Sequence, residues 1–194
     1  MECLTRIILL AIDHNMTKTP KHNISQEKAT ALLNNGITLK DYYVEGELKI
    51  ETVDGWNKEI VIENCIIEYF SGSVTQFEKA VSITNSRFKK CQFVFTYFLG
   101  GLEIDNCIFD SYLDFQAGGH NKFGNSVLIS NNEFYGFVNF FDCWYENEFT
   151  AKKKNFLNGT NLLGKPHNIP VTFDIEPNII DNIGQLNFDH EGIE

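Results

Sequence analysis

The stretch Ile60-Val61-Ile62-Glu63-Asn64-Cys65-Ile66-Ile67 decides the fold, because it returns three times with its character intact. Its echoes are Val81-Ser82-Ile83-Thr84-Asn85-Ser86-Arg87-Phe88, Leu102-Glu103-Ile104-Asp105-Asn106-Cys107-Ile108-Phe109 and Val127-Leu128-Ile129-Ser130-Asn131-Asn132-Glu133-Phe134. Weaker copies begin at Ile37, Phe149 and Val171, so the starts are separated by 23, 21, 21, 25, 22 and 22 residues. An aromatic residue stands four before five consecutive starts, at Trp56, Phe77, Phe98, Phe123 and Tyr145. A third alternating element follows several starts, as in Leu48-Lys49-Ile50, Leu113-Asp114-Phe115 and Val138-Asn139-Phe140. Each repeat therefore consists of short period-2 strands, with no room for a long helix.

Short strands at this period, with like residues at like positions, describe an all-β solenoid whose coils stack in parallel. The expected form is a right-handed parallel β-helix of about six to seven coils, a rod roughly 30 Å long at about 4.8 Å per coil. The L-x-x-L-x-L-x-x-N pattern of leucine-rich repeats is absent. Stacking assigns Ile62, Ile83, Ile104 and Ile129 to one interior column, and Ile67, Phe88, Phe109, Phe134 and Phe156 to a second. Asn64, Asn85, Asn106 and Asn131 fall where each strand must bend, and asparagine both tolerates left-handed backbone angles and bonds to the coils above and below. Recurrence at every coil makes this ladder structural. Cys65, Ser86 and Cys107 follow it, where a small side chain fits; two coils separate the cysteines by about 9.6 Å, too far for a disulfide.

The triplets Ser86-Arg87-Phe88, Cys91-Gln92-Phe93 and Cys107-Ile108-Phe109 place a small residue two before a large apolar one. In this the chain resembles the pentapeptide-repeat proteins, over roughly residues 37–163. The resemblance implies a right-handed quadrilateral β-helix. The five-residue rhythm is broken in most coils, and the family carries no shared catalytic residues to map. Some acidic members resemble duplex DNA and inhibit topoisomerases, which is what the likeness implies about function.

Composition bounds the partners. The 194 residues carry 16 basic and 26 acidic side chains, a formal charge of −10, so a nucleic acid or an anionic membrane would be bound against the field of the whole molecule. Five cysteines with no C-x-x-C pair favour free thiols in a reducing compartment. The apolar run at Ile7–Ile12 is too short to span a bilayer and, behind Glu2, makes a poor signal peptide. A cytoplasmic location is expected, with secretion left open. No cofactor and no metal site is expected, since no nucleotide, zinc or nucleophile-elbow motif occurs.

Residues 1–36 read as an N-terminal segment and capping helix, with Ser25 as N-cap, Glu27 in the first turn and Gly36 as the stop. Residues 37–170 are the coils, and residues 171–194 a last strand and a C-terminal cap folding back on the rod, all one domain. From Pro166 to Glu194 there is no Lys or Arg, while Asp174, Glu176, Asp181, Asp189, Glu191 and Glu194 supply six acids.

The 25-residue coil marks the candidate site. If the aromatic ladder holds at Phe123, the extra residues form a protruding loop, Gln116-Ala117-Gly118-Gly119-His120-Asn121. His120 would act as a base only beside a carboxylate, for which Asp114 and Asp142 are the candidates. The next coil holds eight aromatics between Phe134 and Phe149, and alternation admits only about half of them to a core. Some of Tyr135, Phe141 and Trp144 should then lie outside, as a partner or dimer surface beside the loop. The expected function is a non-catalytic interaction protein presenting an acidic rod to a basic protein partner, such as a DNA-handling enzyme that it neutralises. Homodimers through the aromatic patch or a rod end remain open. The alternative is a lyase or glycosidase of the β-helix type acting on acidic polysaccharides through Asp114 and His120. For that chemistry the outward Glu63, Glu103 and Asp105 lack an accompanying base.

Overall fold

The computed structural model describes residues 20–50, 52 and 54–192; Cys3, the apolar run at 7–12 and residues 17–19 lie outside them. The chain winds as an all-β parallel solenoid of about six turns, with one helix near its N-terminal end. One seven-stranded sheet stacks Leu39–Lys40, Ile60–Glu63, Val81–Thr84, Leu102–Asp105, Val127–Ser130, Phe149–Lys152 and Asn178–Ile180 in sequence order. A second sheet of nine strands runs beside it, from His22–Ser25 through Tyr42–Lys49, Ile66–Ser71 and Arg87–Gln92 to Asn155–Phe156.

Register puts the repeated residues into columns, as identical positions in stacked coils require. Ile62, Ile83, Ile104 and Ile129 pair in succession, and Ala151 and Ile179 continue the column. Phe88, Phe109, Phe134 and Phe156 stack face to face at 5.1, 5.2 and 5.0 Å. A second ring stack, Phe93, Phe115 and Phe140, has spacings of 5.3 and 5.0 Å. Ring stacks therefore follow the strand spacing of about 4.8 Å, and each buried Phe contributes roughly 1.5–3 kcal/mol of burial.

The bend ladder is continuous. Asp41, Asn64, Asn85, Asn106, Asn131, Lys153 and Asp181 all have φ between 50° and 63°. Asn106 Nδ2 donates to Asn85 Oδ1 at 2.7 Å, and Asn131 Nδ2 to Asp105 Oδ1 at 2.7 Å. In the adjoining column a side chain of one coil receives a backbone N–H from the coil before it: Cys65 N to Ser86 Oγ at 3.0 Å and Cys107 N to Asn132 Oδ1 at 2.8 Å. Cys65, Cys91, Cys107 and Cys143 are buried free thiols. Burial holds the Cys107 and Cys143 thiols up at about 12.

Four expectations are corrected. Phe123 is 96% exposed and has no place in the interior ladder. Gly119 pairs with Tyr97 and with Trp144, which puts His120 in register with Phe98 and Tyr145. The slack of the long coil is thus taken up mainly after His120, around Phe123 and Gly124, and residues 116–119 are not a protruding loop. Val171 does not start a repeat: Thr172–Phe173 pairs with Trp144–Tyr145, so Phe173 stacks on Tyr145 at 5.6 Å and extends the aromatic corner. The strand that follows Phe149–Lys152 is Asn178–Ile180. The C-terminal cap is shorter than expected: the segment first winds on as a further coil, with Thr160 N donating to Gln185 O and Leu163 N to Leu186 O, and only its end folds back over earlier coils, where His190 packs 5.2 Å from Phe137 and Glu191 O accepts from Tyr112.

At the other end, helix α1 (Gln26–Asn34) buries Ala29 and Leu33 against the first coil. Ser25 is its N-cap residue by position, but its side chain makes no capping bond to the backbone. Gly36, at φ 67°, ends the turn as expected, its N–H bonded to Leu33 O.

Candidate functional site

The candidate site lies on an outer corner, one residue before the aromatic ladder. That position is occupied coil by coil by Gln76, Tyr97, Gly119, Trp144 and Thr172. Gly119 has φ 102°, and a Cβ there would lie 2.4 Å from Trp144 O, so only glycine lets the neighbouring coil approach. Gly118 is equally confined, since a Cβ there would fall 2.6 Å from Thr96 O. With no side chain at Gly119, the next residue fills the gap. His120 adopts φ 54°, and its ring packs 4.3 Å from Tyr97 and 5.4 Å from Trp144.

Two carboxylates complete the corner. His120 Nδ1 is 3.2 Å from Glu146 Oε2, and Trp144 Nε1 donates to Asp174 Oδ1 at 2.9 Å. Trp144 remains 42% exposed. Beside it, Lys122 Nζ pairs with Glu78 at 3.1 Å. This assembly presents an indole, an imidazole and acidic oxygens together, a surface suited to a guanidinium or ammonium group rather than to an anion.

The remaining expected site residues separate. Asp114 Oδ1 accepts from Gln116 N at 3.0 Å and from Asn139 Nδ2 at 3.1 Å, so its contacts are with the coil backbone and an amide ladder; the carboxylate beside His120 is Glu146. Asn121 is completely buried: its Nδ2 donates to Asn125 O and Glu148 O, and its Oδ1 accepts from Asn147 N, bonds that hold the enlarged corner together. Tyr135 donates to Glu133 at 3.1 Å on another face, and burial with the Glu133 charge raises its hydroxyl to about 12. Phe141 is half-buried and meets His167 edge-on at 5.7 Å. Asp142 is exposed at φ 57°, in a corner of left-handed residues with Val74, Phe95 and Ala117.

The outward acids are also engaged. Glu63 pairs with Lys40 at 2.7 Å, Glu103 accepts from Ser82 Oγ at 3.2 Å, and Asp105 accepts from Ser130 and Asn131. A basic residue, Lys40, does therefore accompany Glu63, as an ion-paired ammonium. Among the described residues, no group of three or more His, Cys, Asp or Glu side chains is placed to share a metal ion.

Reading the sequence missed Tyr97, Glu146 and Asp174. Tyr97 could have been found, since it precedes the ladder residue Phe98 just as Trp144 precedes Tyr145. Asp174 could not, because its approach to Trp144 depends on a 28-residue last coil that the spacing pattern placed wrongly. No family model, curated protein or solved structure matches this chain.

Proposed function

We propose that this chain is a non-catalytic interaction protein that offers an acidic rod to a basic protein partner, and that the partner is a DNA-handling enzyme such as a nuclease or topoisomerase, blocked by the contact. The observation that carries this reading is the exposed Trp144 corner, where Glu146 and Asp174 flank two aromatic side chains. An arginine of the partner meets an aromatic face and two acceptors there, a pairing that combines cation–π attraction with charge-assisted hydrogen bonds. The formal charge of −10 steers such a partner toward the rod and repels nucleic acid. The likeness to pentapeptide-repeat proteins agrees with a rigid rod that occupies a nucleic-acid channel. No helix among the described residues is long and apolar enough to cross a membrane, and the free thiols suit the cytoplasm that we assign to it.

The test is calorimetric titration of the purified chain against a panel of purified nucleases and topoisomerases at low and high salt. Binding that weakens steeply with salt and is lost on Asp174→Asn with Trp144→Ala supports the proposal. Salt-independent binding, or none across the panel, overturns it.

A further inference from the structure

On a different face, a cavity of about 200 Å³ is lined by Tyr69, Lys90, Cys91, Gln92, Ser111, Tyr112 and Asp114. Its origin is an irregularity in coil length. Phe88 pairs with Phe109, 21 residues on, whereas Cys91 pairs with Leu113, 22 residues on. The extra residue lies in Asp110–Tyr112, where the strand is interrupted and Ser111 Oγ turns in to donate to Lys89 O. The sheet is thereby opened beside Arg87–Gln92, and Cys91 forms the floor.

Two columns of different chemistry border the opening. One is aromatic and cationic: Tyr69 pairs with Lys90, and Tyr112 immediately precedes the Leu113 that pairs with Cys91. Tyr112 is held in place, stacked on Phe137 at 6.3 Å with its hydroxyl donating to Glu191 O at 2.8 Å. The other column is polar: Ser71 pairs with Gln92, Gln92 with Asp114 and Asp114 with Asn139. Gln92 Nε2 donates to Ser71 Oγ at 3.2 Å, and Asn139 Nδ2 to Asp114 Oδ1 at 3.1 Å. These bonds orient Gln92 and Asp114, which line the cavity together with Tyr69 and Tyr112.

We propose that this cavity binds one neutral hexose unit, free or at the end of a glycan, independently of the Trp144 corner. A pyranose ring has apolar C–H faces that pack on tyrosine and a rim of hydroxyls that both donate and accept. Asp114, Gln92 Oε1 and the Ser111 oxygen supply acceptors for that rim, and Lys90 supplies donors. Size restricts the occupant to a single ring, since the cavity is smaller than the roughly 300 Å³ at which pockets for drug-sized ligands begin. Charge selects a neutral one, because the formal charge of −10 opposes a uronate despite the presence of Lys90.

Saturation-transfer NMR on the full chain tests this with glucose, galactose, mannose and N-acetylglucosamine as probes, and glucuronate and galacturonate as charged counterparts. The expected result is binding of at least one neutral sugar, weakened about tenfold by Lys90→Met and by Asp114→Asn in chains whose circular dichroism is unchanged. Lys90 is exposed, so its replacement probes the site without disturbing the core. Binding of none of the neutral sugars, tighter binding of a uronate, or binding indifferent to both substitutions would overturn the proposal.

Discussion

Asn106 donates its side-chain amide to Asn85 Oδ1 across 2.7 Å, joining two residues 21 apart that share the same left-handed backbone, at φ 53° and 50°. One side chain thus satisfies two needs of a bend, tolerance of positive φ and a bond to the neighbouring coil. Asn106→Ala should therefore cost about 2 kcal/mol, combining left-handed strain with the lost bond, and Asn106→Gly only about half of that. Urea unfolding measures both; equal losses would show that the backbone angle contributes nothing.

Lys154 occupies the column of Cys65, Ser86, Cys107 and Asn132, yet its amine is buried without a hydrogen-bonding partner, 5.7 Å from the Phe156 ring. Burial drives its pKa well below the lysine range. Lys154→Met should stabilise the chain by about 2 kcal/mol near neutral pH, since an unpaired polar group is replaced by an apolar one of similar length. The sign of the pH dependence follows. Between the depressed folded value and the unfolded value of about 10.4 the unfolded chain binds more protons, so stability rises with pH. The slope reaches at most about 1.4 kcal/mol per pH unit, and the Met variant should lose it. The comparison belongs below about pH 8.5, because the buried thiols act in the opposite direction above it. Parallel pH profiles for the two chains would refute the assignment.

Gly119 and Gly124 both have positive φ, but only Gly119 faces a neighbouring coil. A Cβ at Gly119 would lie 2.4 Å from Trp144 O, whereas one at Gly124 meets nothing within 4 Å. Gly119→Ala should cost about 2–3 kcal/mol and shift the Trp144 fluorescence, with Gly124→Ala costing about 1. Equal thermal shifts in the two variants would mean that the close approach of the coils is not what selects glycine.

Glu68 accepts from Lys89 Nζ at 2.7 Å, from Tyr43 Oη at 2.6 Å and from Gly46 N at 2.9 Å, and these bonds hold its carboxyl at about 2. A folded pKa below the unfolded one contributes stability that is complete above about pH 4.3 and is lost as pH falls toward about 2. In Glu68→Gln the acid limb of the melting-temperature profile should flatten across that window. An unaltered limb would show that the network is too exposed to matter.

Much of the fold was legible because a solenoid repeats its environment. A position that is interior in one coil is interior in all, so Ile62, Ile83, Ile104 and Ile129 announce their column without any structure. The same logic exposed the asparagine bends, whose residue type follows from a backbone angle. It failed wherever a coil departs from the common length. Phe123 stands four before Val127 in sequence and still points to solvent, because interstrand hydrogen bonds, not spacing from one anchor, determine where extra residues are accommodated. Val171 failed for the same reason at the last coil.

By itself, then, the sequence determined the coil period and the interior columns, which depend on residue types recurring in a common setting, and the helical lid and the net charge, which depend on local capping signals and on composition. Only the tertiary structure decided the register of the irregular coils, and with it the meeting of His120 with Glu146, the bond from Trp144 to Asp174, the burial of Lys154 and the opening beside Cys91. Each of these joins residues from different coils, and their neighbours are set by how the backbone takes up slack between one rung and the next.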